Sequence, residues 1–239
     1  MRPEPSFARS VVAWGNACLR GQIAPDQLDA WLERARPVRA LSFSDAAHVA
    51  GVTAWLAASG ARGATRLMLE ARVPVGGDLA IVVVCETPES AWRQRWTRIA
   101  GATAPPWFDA DFSREPAPET LPPAGRTADE VLQGLLCALE GLVSLGARAD
   151  LAQWGDYFEQ VIAVARDAVA PDDSTLPPSA PATAHRLARA ANLADVFGGM
   201  GSWNDFVPLP DRAAENERLR LSSLLHEAVA AALLATAHA

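Results

Sequence analysis

Apolar positions recur with two different periods along the chain, and the changes of period divide it into blocks. Spacings of three and four over 6–20 (Val11, Val12, Ala13, Cys18, Leu19) and 25–36 (Leu28, Trp31, Leu32) predict two helices. Pro25 suits the first turn of the second, where its missing N–H costs nothing. After Pro37, Val38 to Phe43 reads as a short strand, and a helix is expected from Ser44 and Asp45 through Val49, Val52, Trp55 and Leu56 to Gly60. From Thr65 to Val73 the period becomes two: Arg66, Met68, Glu70 and Arg72 on one face, Leu67, Leu69, Ala71 and Val73 on the other, as in a half-buried strand. Leu79 to Cys85 is continuously apolar and β-branched, the signature of a strand covered on both faces. The two are expected to form a hairpin. A helix opening at Thr87 or Pro88 is predicted next, with Trp92, Trp96 and Ile99 buried and Arg93, Arg95 and Arg98 in solvent.

Prolines at 105, 106, 116, 118, 122 and 123 mark 104–125 as a linker, with Trp107, Phe108 and Phe112 docked on a neighbouring domain. The rest reads as helices. Thr127 to Glu130 fits a capping box ahead of Leu132, Leu135, Leu136, Leu139, Leu142 and Val143, a helix that Gly146 is expected to stop. A second helix covers 150–169 (Leu151, Trp154, Phe158, Val161, Ile162, Ala165), a third 183–197, and a fourth 212–236 (Leu221, Leu224, Leu225, Ala228, Val229, Ala232, Leu233). The expected fold is α+β: a mixed α/β domain with a hairpin over 1–103, the linker over 104–125, and a four-helix bundle-like domain over 126–239.

Charge sharpens this division. Residues 1–105 carry 12 arginines against 9 acids, whereas 106–239 carry 9 against 19. The acidic half repels phosphate backbones, so a basic protein partner is expected and nucleic acid is not. Every basic residue is arginine; the chain has no lysine. That excludes the standard Walker phosphate loop, the kinase strand lysine and the pyridoxal phosphate Schiff base, each of which needs an ammonium or amine. No run of eighteen apolar residues occurs, and the first residues lack the basic and apolar regions of a secretory leader, so a cytoplasmic protein with no membrane segment is expected.

Candidate chemistry is sparse. Cys18, Cys85 and Cys137 are odd in number and widely spaced, as buried free thiols would be. His48, His185, His226 and His238 show no metal-ligand spacing and read as surface or cap residues, and Asp109 and Asp111 read as solvent-facing residues of a loop. No serine sits in a Gly-x-Ser-x-Gly elbow, and the glycines fit no dinucleotide fingerprint. Neither cofactor nor metal is therefore expected. The arginines and tryptophans of 92–98 could stack bases, but Trp92 and Trp96 share one face, which is ordinary core patterning.

One stretch stands apart, Phe197-Gly198-Gly199-Met200-Gly201-Ser202-Trp203-Asn204-Asp205. Such glycine density allows tight left-handed turns. Gly198 can close the preceding helix while Trp203 and Phe206 plug the core and Asn204 and Asp205 tie the turn; alternatively the amides of Gly199 to Ser202 form an anion nest, with Ser202, Asn204 and Asp205 as specific contacts. The stretch, with Glu215-Asn216-Glu217-Arg218-Leu219 after it, resembles an uncharacterised family of bacterial proteins, some connected with toxin-immunity neighbourhoods, over about the last 110 residues. The resemblance implies a shared helical fold and no reaction. Together these features point to a non-enzymatic protein-binding module, an immunity or accessory protein, whose binding residues are Gly199, Gly201, Ser202, Trp203, Asn204 and Asp205. Two alternatives stand beside it: a small-molecule enzyme using Asn204, Asp205 and His185 or His226, and a homo-oligomer formed through the alanine-rich Ala228–Ala237. Oligomeric state is open.

Overall fold

A computed structural model describes residues 3–35, 38–71, 79–86, 88–106, 108–121, 125–148, 151–167, 175–197, 203 and 209–239. The fold is α+β, with a six-stranded sheet and seven helices among these residues. In chain order they are α1 (Pro3–Leu19), α2 (Pro25–Arg34), β1 (Val38–Ser44), β2 (Val49–Ala50), α3 (Val52–Ala61), β3 (Arg66–Ala71), β4 (Leu79–Val84), β5 (Pro88–Arg98), β6 (Phe108–Glu115), α4 (Ala128–Arg148), α5 (Ala152–Arg166), α6 (Ala182–Ala194) and α7 (Arg212–Ala237).

The strands lie in the order β2-β1-β6-β5-β4-β3. The expected hairpin is present, β3 and β4 pairing antiparallel from Arg66 opposite Val84 to Ala71 opposite Leu79. β5 and β6 extend the meander, and β1 joins β6 in parallel. All six residues of β4 are buried, because Leu79, Ile81 and Val83 face the helices while Val82 and Val84 meet Met68, Ala91 and Leu121 on the other face. Against the helical side stands an aromatic core. Phe43 stacks on Trp55 and Phe112 at 3.8 and 4.8 Å between ring centroids, and Trp31 stacks on Phe7 and Trp14 at 5.7 and 5.5 Å. Each such pair adds about 0.5–1.5 kcal/mol beyond its burial.

Three expectations fail here for identifiable reasons. The helix predicted from Thr87 is strand β5; residues four apart share a face at either period, so Trp92 and Trp96 face the core in a strand as they would in a helix. The proline-rich 104–125 contains β6, an interior strand, because its prolines flank Phe108–Glu115 and leave those eight residues free to pair on both edges. The helix expected from Ser44 begins only at Val52, after β2, with Gly51 as its N-cap.

Helices α4 to α7 share a second core formed by Leu135, Leu139, Leu142, Phe158, Leu187, Leu225 and their neighbours. The capping box at the start of α4 is formed: the Thr127 N–H donates to Glu130 Oε2 at 2.8 Å, and the Glu130 N–H donates to Thr127 Oγ1 at 3.3 Å. Gly146 does not stop α4, which continues to Arg148. Its bare Cα instead lets α5 approach, since a Cβ there would stand 3.0 Å from Gly155 Cα. Of the helices described, α4 and α7 are long and apolar enough to cross a membrane by length and composition; here one face of each lies in the core, while Leu219 and Leu224 of α7 are exposed.

The two cores meet along α1 and α7. Ala237 and Leu234 pack with the aromatic core, and Ala13 of α1 joins Leu176, Ala184 and Ala188. Arg9, buried on α1, donates to Thr175 Oγ1 at 2.7 Å and to Asn192 Oδ1 at 3.5 Å, crossing the junction with a charged hydrogen-bonding group.

Candidate functional site

Of the six binding residues expected from the sequence, Trp203 is described; Gly199, Gly201, Ser202, Asn204 and Asp205 lie outside the described residues, as does Phe206. Trp203 is 1% exposed and belongs to the core of α4–α7. Its ring meets Trp154 and Phe158 edge-on at 5.2 and 5.4 Å. Its Nε1 donates to Ser222 Oγ at 2.6 Å, and its backbone N–H to the Val196 carbonyl at 3.1 Å. The indole thus plugs the core, as one of the two sequence readings held. The preceding helix, expected to run to Phe197, ends at Ala194 with Asp195 as its C-cap.

The other face of the Trp203 environment is built by the first turns of α7. Arg218, 7% exposed, lies 5.8 Å from the Trp203 ring centroid. Its Nε and Nη2 donate to Glu215 Oε2 and Oε1 at 2.8 and 2.7 Å, a fork that holds both groups in one orientation. Glu215 Oε2 also accepts the Leu209 N–H at 3.1 Å. The Arg218 fork, aided by that amide, lowers the Glu215 pKa to about 2. Ser222 completes the arrangement by donating to the Arg218 carbonyl at 2.6 Å. The two stretches singled out in the sequence, around Trp203 and at 215–219, therefore touch, through a cation over an aromatic face. Sequence inspection placed Glu215 and Arg218 only within a resemblance; their i, i+3 spacing on a helix was the signal for the pair.

The remaining chemistry is dispersed. Among the described residues no three His, Cys, Asp or Glu side chains converge as a metal site would require. Asp109 and Asp111 lie on β6 and not in a loop: Asp109 pairs with Arg39 at 2.5 Å, and Asp111 accepts from Ser42 at 2.8 Å and from Ser44 at 3.1 Å. Cys137 is exposed and Cys18 and Cys85 are half-buried, so only partly the buried thiols expected. Burial, with Asp29 nearby, raises the Cys18 pKa to about 11. His48 is exposed and faces Asp45. His226 lies edge-on to Phe197 at 4.8 Å, and its buried Nδ1 has no hydrogen-bond partner among the described residues.

His238 is the C-cap of α7, one of the two roles expected of it, and its ring is turned to the edge of β3. Its Nε2 accepts the Leu69 N–H at 3.0 Å, which requires a neutral ring, and burial together with the charge of Arg66 lowers its pKa. Two residues along the same strand, Asn16 brackets Leu67: its Oδ1 accepts the Leu67 N–H at 2.7 Å and its Nδ2 donates to the Leu67 carbonyl at 3.0 Å. Because β3 is an edge strand, Asn16 and His238 stand in for the missing neighbour. The sequence signal for Asn16 was an amide in the middle of an apolar helix.

No protein-family model, no curated protein and no solved structure matches this chain.

Proposed function

We propose that this chain is a non-enzymatic protein-binding module of the cytoplasm, an immunity or accessory protein that neutralises a toxin domain, with its binding residues on a four-helix bundle-like unit. The supporting observation is the anchoring of Trp203. That indole is buried against Trp154, Phe158, Ser222 and Arg218, so the motif has one fixed residue at its centre, and Ser202, Asn204 and Asp205 flank it in the sequence. The acidic charge of 106–239 favours a basic partner and steers its approach.

Affinity capture from the native host tests this, comparing wild type with Asn204→Ala/Asp205→Ala after both are shown to be folded. The reading requires one stoichiometric protein partner that the double variant loses. Its retention by the variant would move the contact off the motif, and a folded chain that captures no protein would refute the binding role. A second reading then takes precedence, a small-molecule enzyme using Asn204, Asp205 and His226. The observation favouring it is the buried Nδ1 of His226, unpartnered among the described residues, beside Phe197, the first residue of the motif. A metabolite-binding screen read by thermal shift would check it.

A further inference from the structure

The two edges of the sheet are treated in opposite ways. On β3 the outward amides of Leu67 and Leu69 are occupied by Asn16 and His238. On β1 the covering strand β2 is two residues long and pairs only Phe43 with Ala50 and Ser44 with Val49. The Asp45 N–H donates to the His48 carbonyl at 3.0 Å, so the bonded positions on this edge are Asp45, Phe43 and, in phase with them, Leu41. β2 ends before Leu41, and among the described residues Val38–Ser42 has no partner strand on that side.

Beside this open stretch runs a groove of about 300 Å³ lined by Val38, Arg39 and Leu41 of β1, by Asp29, Leu32 and Glu33 of α2, and by the start of α3. Leu32, Val38 and Leu41 are half-buried and make its floor apolar. Proteins commonly guard an exposed strand edge with a charge or a proline. The charge on this segment, Arg39, is turned onto the neighbouring strand, where its Nε and Nη2 donate to Asp109 at 3.0 and 2.5 Å. With Arg39 neutralised in this way, the carboxylates of Asp29 and Glu33 set the charge of the groove. Asp29 also accepts from Thr53, fixing α3 against α2 at that wall.

We infer that the Val38–Ser42 edge of β1 is a strand-addition site for an extended, basic segment of a protein partner. The segment would bond its backbone to the Leu41 peptide, lay an apolar side chain against Leu32, Val38 and Leu41, and set a Lys or Arg two residues along, on the same face, beside Asp29 and Glu33. Backbone pairing supplies the affinity and the alternating side chains the selectivity in this mode of recognition. The site lies on the α/β part of the fold and is independent of the Trp203 motif.

The test uses two capped eight-residue peptides that carry valine and lysine (Val-Lys) or valine and glutamate (Val-Glu) at successive positions of one face, with threonine between them, and reads NMR amide exchange and fluorescence anisotropy on the whole chain. Saturable binding of the Val-Lys peptide with slowed exchange at Leu41 is expected, at least about tenfold tighter than Val-Glu, since like charges at a groove oppose binding. Glu33→Gln should weaken it about threefold, the size of one exposed ion pair. Leu41→Pro removes the outward amide and should abolish binding, its folding checked by circular dichroism; a Val-Lys peptide N-methylated at alternate residues does the same without altering the protein. Binding that survives methylation, or leaves exchange at Leu41 unchanged, overturns the inference. So does sedimentation showing a dimer that Leu41→Pro dissolves, which would assign the edge to a second copy of this chain.

Discussion

Gly146 and Gly155 face each other where α4 crosses α5, yet an added methyl has opposite consequences at the two positions. At Gly146 the new Cβ would lie 3.0 Å from Gly155 Cα, 3.2 Å from Gly155 N and 3.3 Å from the Leu151 carbonyl oxygen. All three are backbone atoms of the turn that opens α5, where Leu151 O already accepts from Trp154 and Gly155 at 2.9 and 3.0 Å. No side chain can swing aside, so the helices must separate. At Gly155 the nearest atoms would be Gly146 Cα and Val143 O, both at 3.9 Å, an ordinary contact. Alanine gains about 1 kcal/mol over glycine in a helix, and overpacking costs about 1–3 kcal/mol. Gly155→Ala should therefore stabilise by up to about 1 kcal/mol, whereas Gly146→Ala should come out destabilised by up to about 2 kcal/mol. The two variants are separated by the overpacking cost of about 1–3 kcal/mol, so for a chain of this size their melting temperatures should differ by about 2–12 °C, from about 2–4 °C per kcal/mol. Urea midpoints and thermal melts of the pair decide it. If Gly146→Ala is as stable as Gly155→Ala, the reading of Gly146 as the point of closest approach is wrong.

Trp203→Ala should cost about 3–5 kcal/mol in urea unfolding, the scale of emptying a buried indole site, while Trp203→Phe should lose about 1 kcal/mol through the Ser222 hydrogen bond. Asn16→Ala should cost about 2–4 kcal/mol, because it leaves both the amide and the carbonyl of Leu67 without their partner. His238 holds its folded pKa below the ordinary 6.5, so in the window beneath that value the unfolded chain binds the extra proton. Its contribution is complete above 6.5 and is lost as pH falls through the folded pKa. Urea midpoints across that window should fall less steeply in His238→Gln than in wild type, and equal slopes would refute the assignment. With a thiol reagent, Cys137 should be modified first and Cys18 last, since burial and Asp29 keep Cys18 a thiol; mass spectrometry of the time course reads the order.

How far the fold was legible depended on whether period and punctuation agreed. The hairpin β3–β4 was legible because alternation in one strand and continuous apolarity in the next have no helical counterpart. β5 was not, because its only strong anchors, Trp92 and Trp96, satisfy both periods; the alternation of Arg93 and Arg95 with Trp92, Gln94 and Trp96 was the weaker signal that pointed to a strand. β6 was hidden by flanking prolines, although Phe108–Glu115 contains none and alternates Ala110 and Phe112 inward with Asp109 and Asp111 outward. At the candidate site, the burial of Trp203 followed from its residue type. Its contact with Arg218 did not, because the two residues stand farther apart in the chain than any local pattern spans. The polar edge cover by Asn16 and His238 was invisible for the same reason, the partners standing 51 and 169 positions from the amides they satisfy.

The parallel pairing of β1 with β6 sets a schedule for biosynthesis. β1 leaves the ribosome before β6, and its paired residues follow roughly 70 positions later, which at about 5–20 residues per second is a delay of about 4–14 seconds. During that interval Phe43 lacks Phe112, and the meander β3–β4–β5, whose pairings are local, can form first. The sheet then closes by insertion of a central strand, a step of high loop-closure cost that slows folding. Nascent-chain stalling just before and just after β6 should consequently divide protease-sensitive from protease-resistant forms of the α/β part, and holdase chaperones should engage the shorter one.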